Sequence, residues 1–329
     1  MDIPHPRTVF DYDGGEAVER AFLTALDRGR LHHAWLLVGP EGVGKATFAY
    51  RAARRLLGAR PAPAFGLLGA EPDDPVCRQM IAMAHPDLIV LQRETEDGKA
   101  RRGIPVDEAR ALPEFFAKSP ATAPYRVAII DAADDLNANA ANAVLKTLEE
   151  PPERGVLLLV SHAPGGLLPT IRSRCRRLRF EAPAIDASAP WVSERACLDD
   201  AAAGRLLAMA QNAPGRAWRL SASGALEADE EARALLSALP RIDDAAVSAL
   251  AEMFRHPTGA EKFNLFFNRL ADNIHAIARD AALAGEGRGL DSWAEAWEYI
   301  TTLPRSVEAV NLDRADAFLT ALGHLRAIA

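Results

Sequence analysis

The sequence predicts an α/β protein: a P-loop core with a parallel sheet, then a small helical domain and a larger helical bundle. Its glycine loop, "GPEGVGK" at residues 39–45, lies between an apolar run and a helical stretch, the strand–loop–helix context of a phosphate-binding loop. Strand-like and helix-like segments alternate between about residues 16 and 180, which implies parallel strands with helices on both faces. Beyond about residue 181 the strand signals cease.

The elements follow in order. "EAVERAFLTALDRG" spaces Val18, Phe22, Leu23 and Leu26 as a helix, with Gly29 as its stop. "AWLLVG" reads as a short buried strand, and "ATFAYRAARRLLG" after Lys45 returns to helical periodicity, with Gly58 beyond its end. "DLIVLQ", "YRVAIIDAAD" and "GVLLLVSHAP" are further buried strands, while "VDEARALPEFFAKS" is a helix with acidic residues early, where the dipole favours them. "EAPAIDASAP" (181–190), rich in Pro, Ala and Ser and without periodicity, is expected to be a linker. "DDAAAGRLLAMAQ", "EEARALLSAL", "DDAAVSALAEMF", "EKFNLFFNRLADNIHAIARDAALAG", "DSWAEAWEYITTL" and "NLDRADAFLTALGHLRAI" all read as helices. The expected division is 1–180, 181–224 and 225–329, the last boundary falling somewhere between 221 and 228. Phe263, Leu265, Phe266, Leu270 and Ile274, and with them Trp293, Trp297 and Tyr299, are read as packing of the bundle.

The 329 residues suffice for a substantial core and for two or three domains. The balance of 38 basic against 45 acidic residues, a net charge of -7, excludes a chain that coats nucleic acid by bulk electrostatics. Cys77, Cys175 and Cys197 are too few and too far apart for a disulfide framework, which favours a reducing compartment. No apolar stretch approaches a membrane span or a signal peptide, so the expectation is a soluble cytoplasmic protein.

The loop that organises this fold lacks a part. Gly39, Gly44 and Lys45 stand where a Walker A loop requires them, and Gly42 lies within it, but Ala46 occupies the slot of the hydroxyl that holds magnesium. Main-chain amides at a helix N-terminus bind phosphate and Lys45 adds a point charge, so the loop is a candidate site for ATP or ADP. Thr47 does not replace the hydroxyl, because one step along a helix turns a side chain by about 100°. Asp131 ends the partner strand, where nucleotide hydrolases hold magnesium through water, but the next position, which often carries the activating Glu, is Ala132. The plainer reading of this stretch is a strand end followed by Asp134, Asp135 and Asn137 capping the next helix, and both readings can hold together. Two losses in one site point away from hydrolysis.

"TIRSRCRRLRF" (170–180) concentrates Arg172, Arg174, Arg176, Arg177 and Arg179 in an acidic protein. It is either a solvated charge run on an edge strand or a source of a guanidinium for another subunit's ATP. "SRC" at 173–175, "NAVLKTLEEPP" at 142–152 and "HAWLLVGPEGVGK" at 33–45 resemble clamp-loader subunits of the AAA+ class, specifically between about residues 20 and 180. "NLDRADAFLTAL" is similar to that family's last helix. The resemblance implies an AAA+ core, a helical lid and an all-α collar that assembles a five-subunit ring with gamma or tau and delta subunits. Such a ring loads a sliding clamp onto primed DNA, with no role for a membrane.

The resemblance further implies a non-hydrolysing member whose Arg174 completes a neighbouring gamma or tau subunit's ATP site. Family sensor positions fall near Ser161 and His162 and, in the lid, at Arg216, which reads equally as a basic residue starting a helix. Relatives commonly carry a four-cysteine zinc module after the P-loop helix. This chain offers only Cys77 there, with His85 as a turn residue, so no zinc is expected. The rival readings are an autonomous gamma- or tau-like ATPase using Asp131 alone, disfavoured by Ala46 and Ala132, and a P-loop kinase or similar transferase, disfavoured by the helical tail and the SRC segment.

Overall fold

A computed structural model describes residues 3–12, 15–93, 101, 103–285 and 289–328, which divide into two compact units, 1–219 and 220–329. The first unit contains α1 (Glu16–Asp27), β1 (Ala34–Val38), α2 (Lys45–Leu56), α3 (Pro75–Ile81), β2 (Leu88–Gln92), α4 (Val106–Ala117), β3 (Arg126–Asp131) and α5 (Ala138–Glu149). It continues with β4 (Gly155–Ser161), α6 (Pro169–Arg174), β5 (Arg176–Arg179), α7 (Ile185–Ala196) and α8 (Asp200–Met209), and the boundary falls within α9 (Pro214–Ala222).

The five strands form one sheet in the order β2-β3-β4-β1-β5, with every neighbouring pair parallel. Because strand side chains alternate between faces, each central strand feeds two cores. Trp35 and Leu37 of β1, Val127 and Ile129 of β3, and Val156, Leu158 and Val160 of β4 pack with α1 and α2 through Phe22, Phe48 and Leu56. The intervening Ala34, Leu36, Ala128, Ile130, Leu157 and Leu159 meet α4, α5 and α6 through Leu112, Val144, Leu148 and Ile171. Burial on both faces is why these strands read as unbroken apolar runs, and the predicted α/β core stands.

One expectation is corrected. The stretch 181–190 is not a linker throughout: α7 begins at Ile185 and carries Pro190 inside it. Its buried Ser188 and Val192 and the edge-to-face packing of Trp191 on Trp218 supply tertiary contacts that override a composition poor in helix formers. Of the arginine-rich segment, Arg176–Arg179 form the exposed edge strand β5, as one of its two readings expected, while Arg172 and Arg174 lie on the short α6.

Asp87, just ahead of β2, is fully buried and accepts backbone amides from Ala121 (2.7 Å), Thr122 (2.9 Å) and Ala123 (3.1 Å), with Arg126 Nε at 3.3 Å. Burial alone would raise its pKa, but those amides and the guanidinium hold it below the ordinary carboxylate value. A depressed folded pKa means stability that is present above the unfolded value, near 3.9, and lost as pH falls through the folded one. Asp87→Asn is therefore expected to cost about 3 kcal/mol at pH 7, because Arg126 is left buried without a counter-charge. Urea unfolding should show the gap to wild type narrowing as pH drops below about 4.

The second unit holds α10 (Ala225–Ser237), α11 (Asp244–Arg255), α12 (Gly259–Leu283), α13 (Leu290–Val310) and α14 (Arg314–Ile328). Their common core centres on Phe254, whose ring meets Phe263, Phe266 and Phe318 at centroid distances of 5.3, 5.4 and 5.3 Å. Phe263, Phe266, Leu270 and Ile274 are core as expected, whereas Trp297 is 41% exposed. The buried stripe of α13 runs through Ala296, Ile300, Leu303 and Val307, and Trp297 lies one position off it. Among the described residues no helix is long and apolar enough to cross a membrane.

Candidate functional site

The chain leaves β1 at its C-terminal end and turns through Gly39, Gly42 and Gly44, at φ of 154°, 81° and 96°, before α2 begins at Lys45. Gly44 in the left-handed region is the N-cap of α2, so the loop keeps the backbone path that aims amides at an anion. The chain's own groups crowd it. Lys45 Nζ folds back to donate to the carbonyls of Gly39 (2.6 Å) and Pro40 (2.5 Å). Burial lowers its pKa to about 8, against the pull of Asp131, Asp134 and Glu41.

Two more elements close on the loop. Gly215, at the start of α9, donates its amide to Gly42 O at 2.9 Å, and Arg219 of the same helix pairs with Glu41 at 2.9 Å. A side chain on Gly42 would meet Arg216 N at 2.3 Å, and one on Gly44 would meet the Tyr12 ring at 2.5 Å. Tyr12 is delivered by the N-terminal strap, which α2 grips through two buried arginines. Arg51 donates to Phe10 O, and Arg54 to Val9 O (2.9 Å) and Arg7 O (2.5 Å), with the Arg54 guanidinium 3.9 Å over the Phe10 ring. Arg51 is neutralised by Glu19 at 2.7 Å.

Strap, loop and α9 border a cleft of about 910 Å³, with Asp131, Ala132 and His162 on its floor and Trp191, Arg195 and Trp218 along its wall. Ala46 and Thr47 both line it, and α9 contributes Pro214, Gly215, Trp218 and Arg219. Arg216 meets the loop through its backbone and Cβ, beside Gly42, and the Arg219 guanidinium reaches the loop at Glu41.

Ser161 is buried at the end of β4 and donates to Asp134 Oδ1 at 3.0 Å, while the amides of His162 (2.7 Å) and Ala163 (3.0 Å) bind the same carboxylate. Asp134 thus ties β4 to the β3 end, and Asn137 alone caps α5, accepting from Asn139 N and Ala140 N at 3.1 and 3.0 Å. Burial and the neighbouring Lys45 lower the pKa of His162, which favours a neutral ring facing the cleft. His85 Nδ1 accepts the Asp87 amide at 3.1 Å and Cys77 is buried between Ala59 and Ala70. Among the described residues no group of three or more His, Cys, Asp or Glu is placed to hold a metal ion.

Gly42→Ala tests the α9 contact. The new methyl must displace the first turn of α9, breaking the bond from Gly215 and the Glu41–Arg219 pair, at an expected cost of about 1–3 kcal/mol. Gly29→Ala is the control, since Gly29 also has positive φ (62°) but nothing within 4 Å of a Cβ. Thermal unfolding should show the larger loss for Gly42→Ala.

Arg174 lies elsewhere. It ends α6, donates Nη1 to Thr170 O (3.1 Å) and pairs through Nη2 with Glu149 at 3.0 Å, with its side chain 37% exposed. β5 starts beside Trp35, at the beginning of β1, and the P-loop leaves β1 at its far end. Arg174 therefore lies at the N-terminal end of the strands, just ahead of β5, while its own loop leaves the C-terminal end of the neighbouring β1, a separation of roughly 13 Å along a strand of this length, at about 3.3 Å per residue. Of the remaining arginines, Arg176 stacks 4.9 Å over Trp35, and Arg179 makes an exposed pair with Glu181 at 3.7 Å.

Fold and loop together define the AAA+ class of P-loop proteins, here with a degenerate loop. A model of the DNA polymerase III delta subunit family matches residues 14–184, just over half of the chain, and the chain belongs to that family. It is 40% identical over 202 residues to DNA polymerase III subunit delta′ of Pseudomonas aeruginosa, a match covering 61% of this chain and 59% of that one. With DNA polymerase III subunit tau of Escherichia coli it shares 35% identity over 184 residues, 55% of this chain and 26% of that protein. The matched part is thus under two thirds of either relative's length. A gamma subunit-related protein of Thermotoga maritima aligns over 93% of this chain and 99% of its own at 20% identity, with a TM-score of 0.44. The resemblance read from residues 20–180, to clamp-loader subunits and to delta-prime among them, agrees with the family.

Proposed function

We infer that this chain is the non-hydrolysing, delta-prime subunit of a DNA polymerase III clamp loader, a cytoplasmic ring of five subunits with gamma or tau and delta that loads a sliding clamp onto primed DNA. In this reading it lends Arg174 to the ATP site of an adjoining gamma or tau subunit, where a guanidinium stabilises charge on the transferred phosphoryl group. The observation that supports it is the position of Arg174: partly exposed, and at the N-terminal end of the strands, away from the end at which its own loop leaves β1. Residues 1–180 act as the core, 181–224 as the lid and 225–329 as the collar. The degenerate loop fits a nucleotide held by the amides around Gly42 and Gly44 and by Lys45, without the magnesium ligand that Ala46 lacks. An ATP or ADP bound there would be structural, and it would have to draw Lys45 off its carbonyls and shift Tyr12 from Gly44. The test is reconstitution with gamma or tau, delta, clamp and primed DNA, comparing Arg174→Ala with Lys45→Ala. Loss of hydrolysis with Arg174→Ala in an intact ring supports the assignment, and the reverse ranking rejects it.

A further inference from the structure

We propose that Glu149 is a positioning residue for Arg174, fixing the plane of its guanidinium before a partner's nucleotide arrives. The inference rests on the trans reading of Arg174. An arginine carries five N–H donors in a rigid fork. Two are engaged from two elements: Nη1 by the carbonyl of Thr170, one turn back on α6, and Nη2 by the Glu149 carboxylate at the C-terminal end of α5. One anchor would leave the fork free to swing about it, whereas two set its orientation. The Nε–H and the second N–H of each terminal nitrogen remain for an incoming phosphoryl oxygen.

The supports are themselves fixed. Ile171 of α6 is buried in the same core as Val144 and Leu148 of α5, one residue before Glu149, so the carboxylate and the Thr170 carbonyl stand on elements packed together. The alternative role, quenching the arginine's charge, is disfavoured by exposure. Arg174 and Glu149 are 37% and 46% exposed, and water screens such a pair. The carboxylate therefore takes little of the charge while setting the geometry, which trims the rotamer freedom that a long side chain gives up on engaging its target.

The test uses the reconstituted ring and the full-length chain. In the ring, the quantity read is the Arg174-dependent ATPase rate, wild type minus Arg174→Ala. Glu149→Ala is expected to lower it about 3- to 10-fold, the size of losing preorganisation of one such side chain, in kcat rather than in KM for ATP. Glu149→Gln, which keeps an acceptor, should restore most of it. The double variant should be no slower than Arg174→Ala, since Glu149 acts only through that arginine. In the isolated chain, nitrogen-15 NMR should show rotation about the Arg174 Nε–Cζ bond slow in wild type and fast in Glu149→Ala. An unchanged or raised rate in Glu149→Ala, additivity with Arg174→Ala, or free rotation in wild type overturns the proposal. If Arg174→Ala has no effect on hydrolysis while Glu149 still slows the rotation, the contact stands and the trans reading fails.

Discussion

Arg174→Ala is expected to lower hydrolysis at the adjoining subunit's site by on the order of 10³-fold, the low end of what such arginines contribute, and to leave the ring assembled. The ring's total rate then falls by that one site's share. Assembly should survive because the Arg174–Glu149 pair is half in water, where such pairs contribute about 0–1 kcal/mol. Lys45→Ala removes a charge that is already turned inward to Gly39 and Pro40 and held desolvated at a pKa of about 8. Its loss leaves two carbonyls unpaired but relieves a buried ammonium, so its effect on hydrolysis should be small beside that of Arg174→Ala. Phosphate release with clamp and primed DNA, alongside size-exclusion of each ring, measures both. Below pH 8 the folded chain carries Lys45 charged in a poor environment, so the contribution of Lys45 to stability, read as wild type minus Lys45→Ala, should rise as pH climbs from about 8 to about 10.4, the window between its folded and unfolded pKa values. Taking that difference cancels the opposing buried thiols of Cys77 and Cys175, whose raised pKa values are common to both chains.

The sheet was legible because its central strands are buried on both sides, which writes them as runs such as "AWLLV" and "VAIID". The loop was legible because glycine spacing and lysine are local signals. What surrounds the loop was not. Tyr12 reaches Gly44 only because Arg51 and Arg54 hold the strap, and in "AYRAARRLLG" those arginines look like any exposed helix face. Arg51 is neutralised by Glu19, which lies 32 residues away, and no short-range pattern announces that pairing. The cleft wall was missed for a similar reason, since Trp191 directly follows a segment whose Pro and Ala content reads as linker while its partner Trp218 lies on another helix. Asp134 looked like a helix cap beside Asn137, yet its carboxylate serves strand β4, a contact fixed by sheet order and not by spacing.

Arg51→Met is expected to destabilise the first unit by about 3–5 kcal/mol, a large part of the 5–15 kcal/mol typical of a folded domain. The arginine and Glu19 side chains are 1% and 3% exposed, so deleting one strands the other's charge in the core. Among the described residues Glu19 would keep the Leu68 amide, at 3.2 Å. Replacing both, Arg51→Met with Glu19→Leu, removes the charge imbalance and is expected to recover part of the loss, because a buried pair exchanged for apolar groups is often neutral. Recovery cannot be complete. Arg51 also donates to Phe10 O and, at 2.6 Å, to Phe65 O, and no methionine can satisfy those carbonyls. The double variant should therefore fold yet hold residues 7–12 less firmly, so that Tyr12 no longer lies against Gly44. Urea unfolding measures the first effect and amide hydrogen exchange over the strap the second. If the double variant matches the single one in stability, the charge imbalance is not what makes Arg51 necessary, and the carbonyl contacts alone hold the strap.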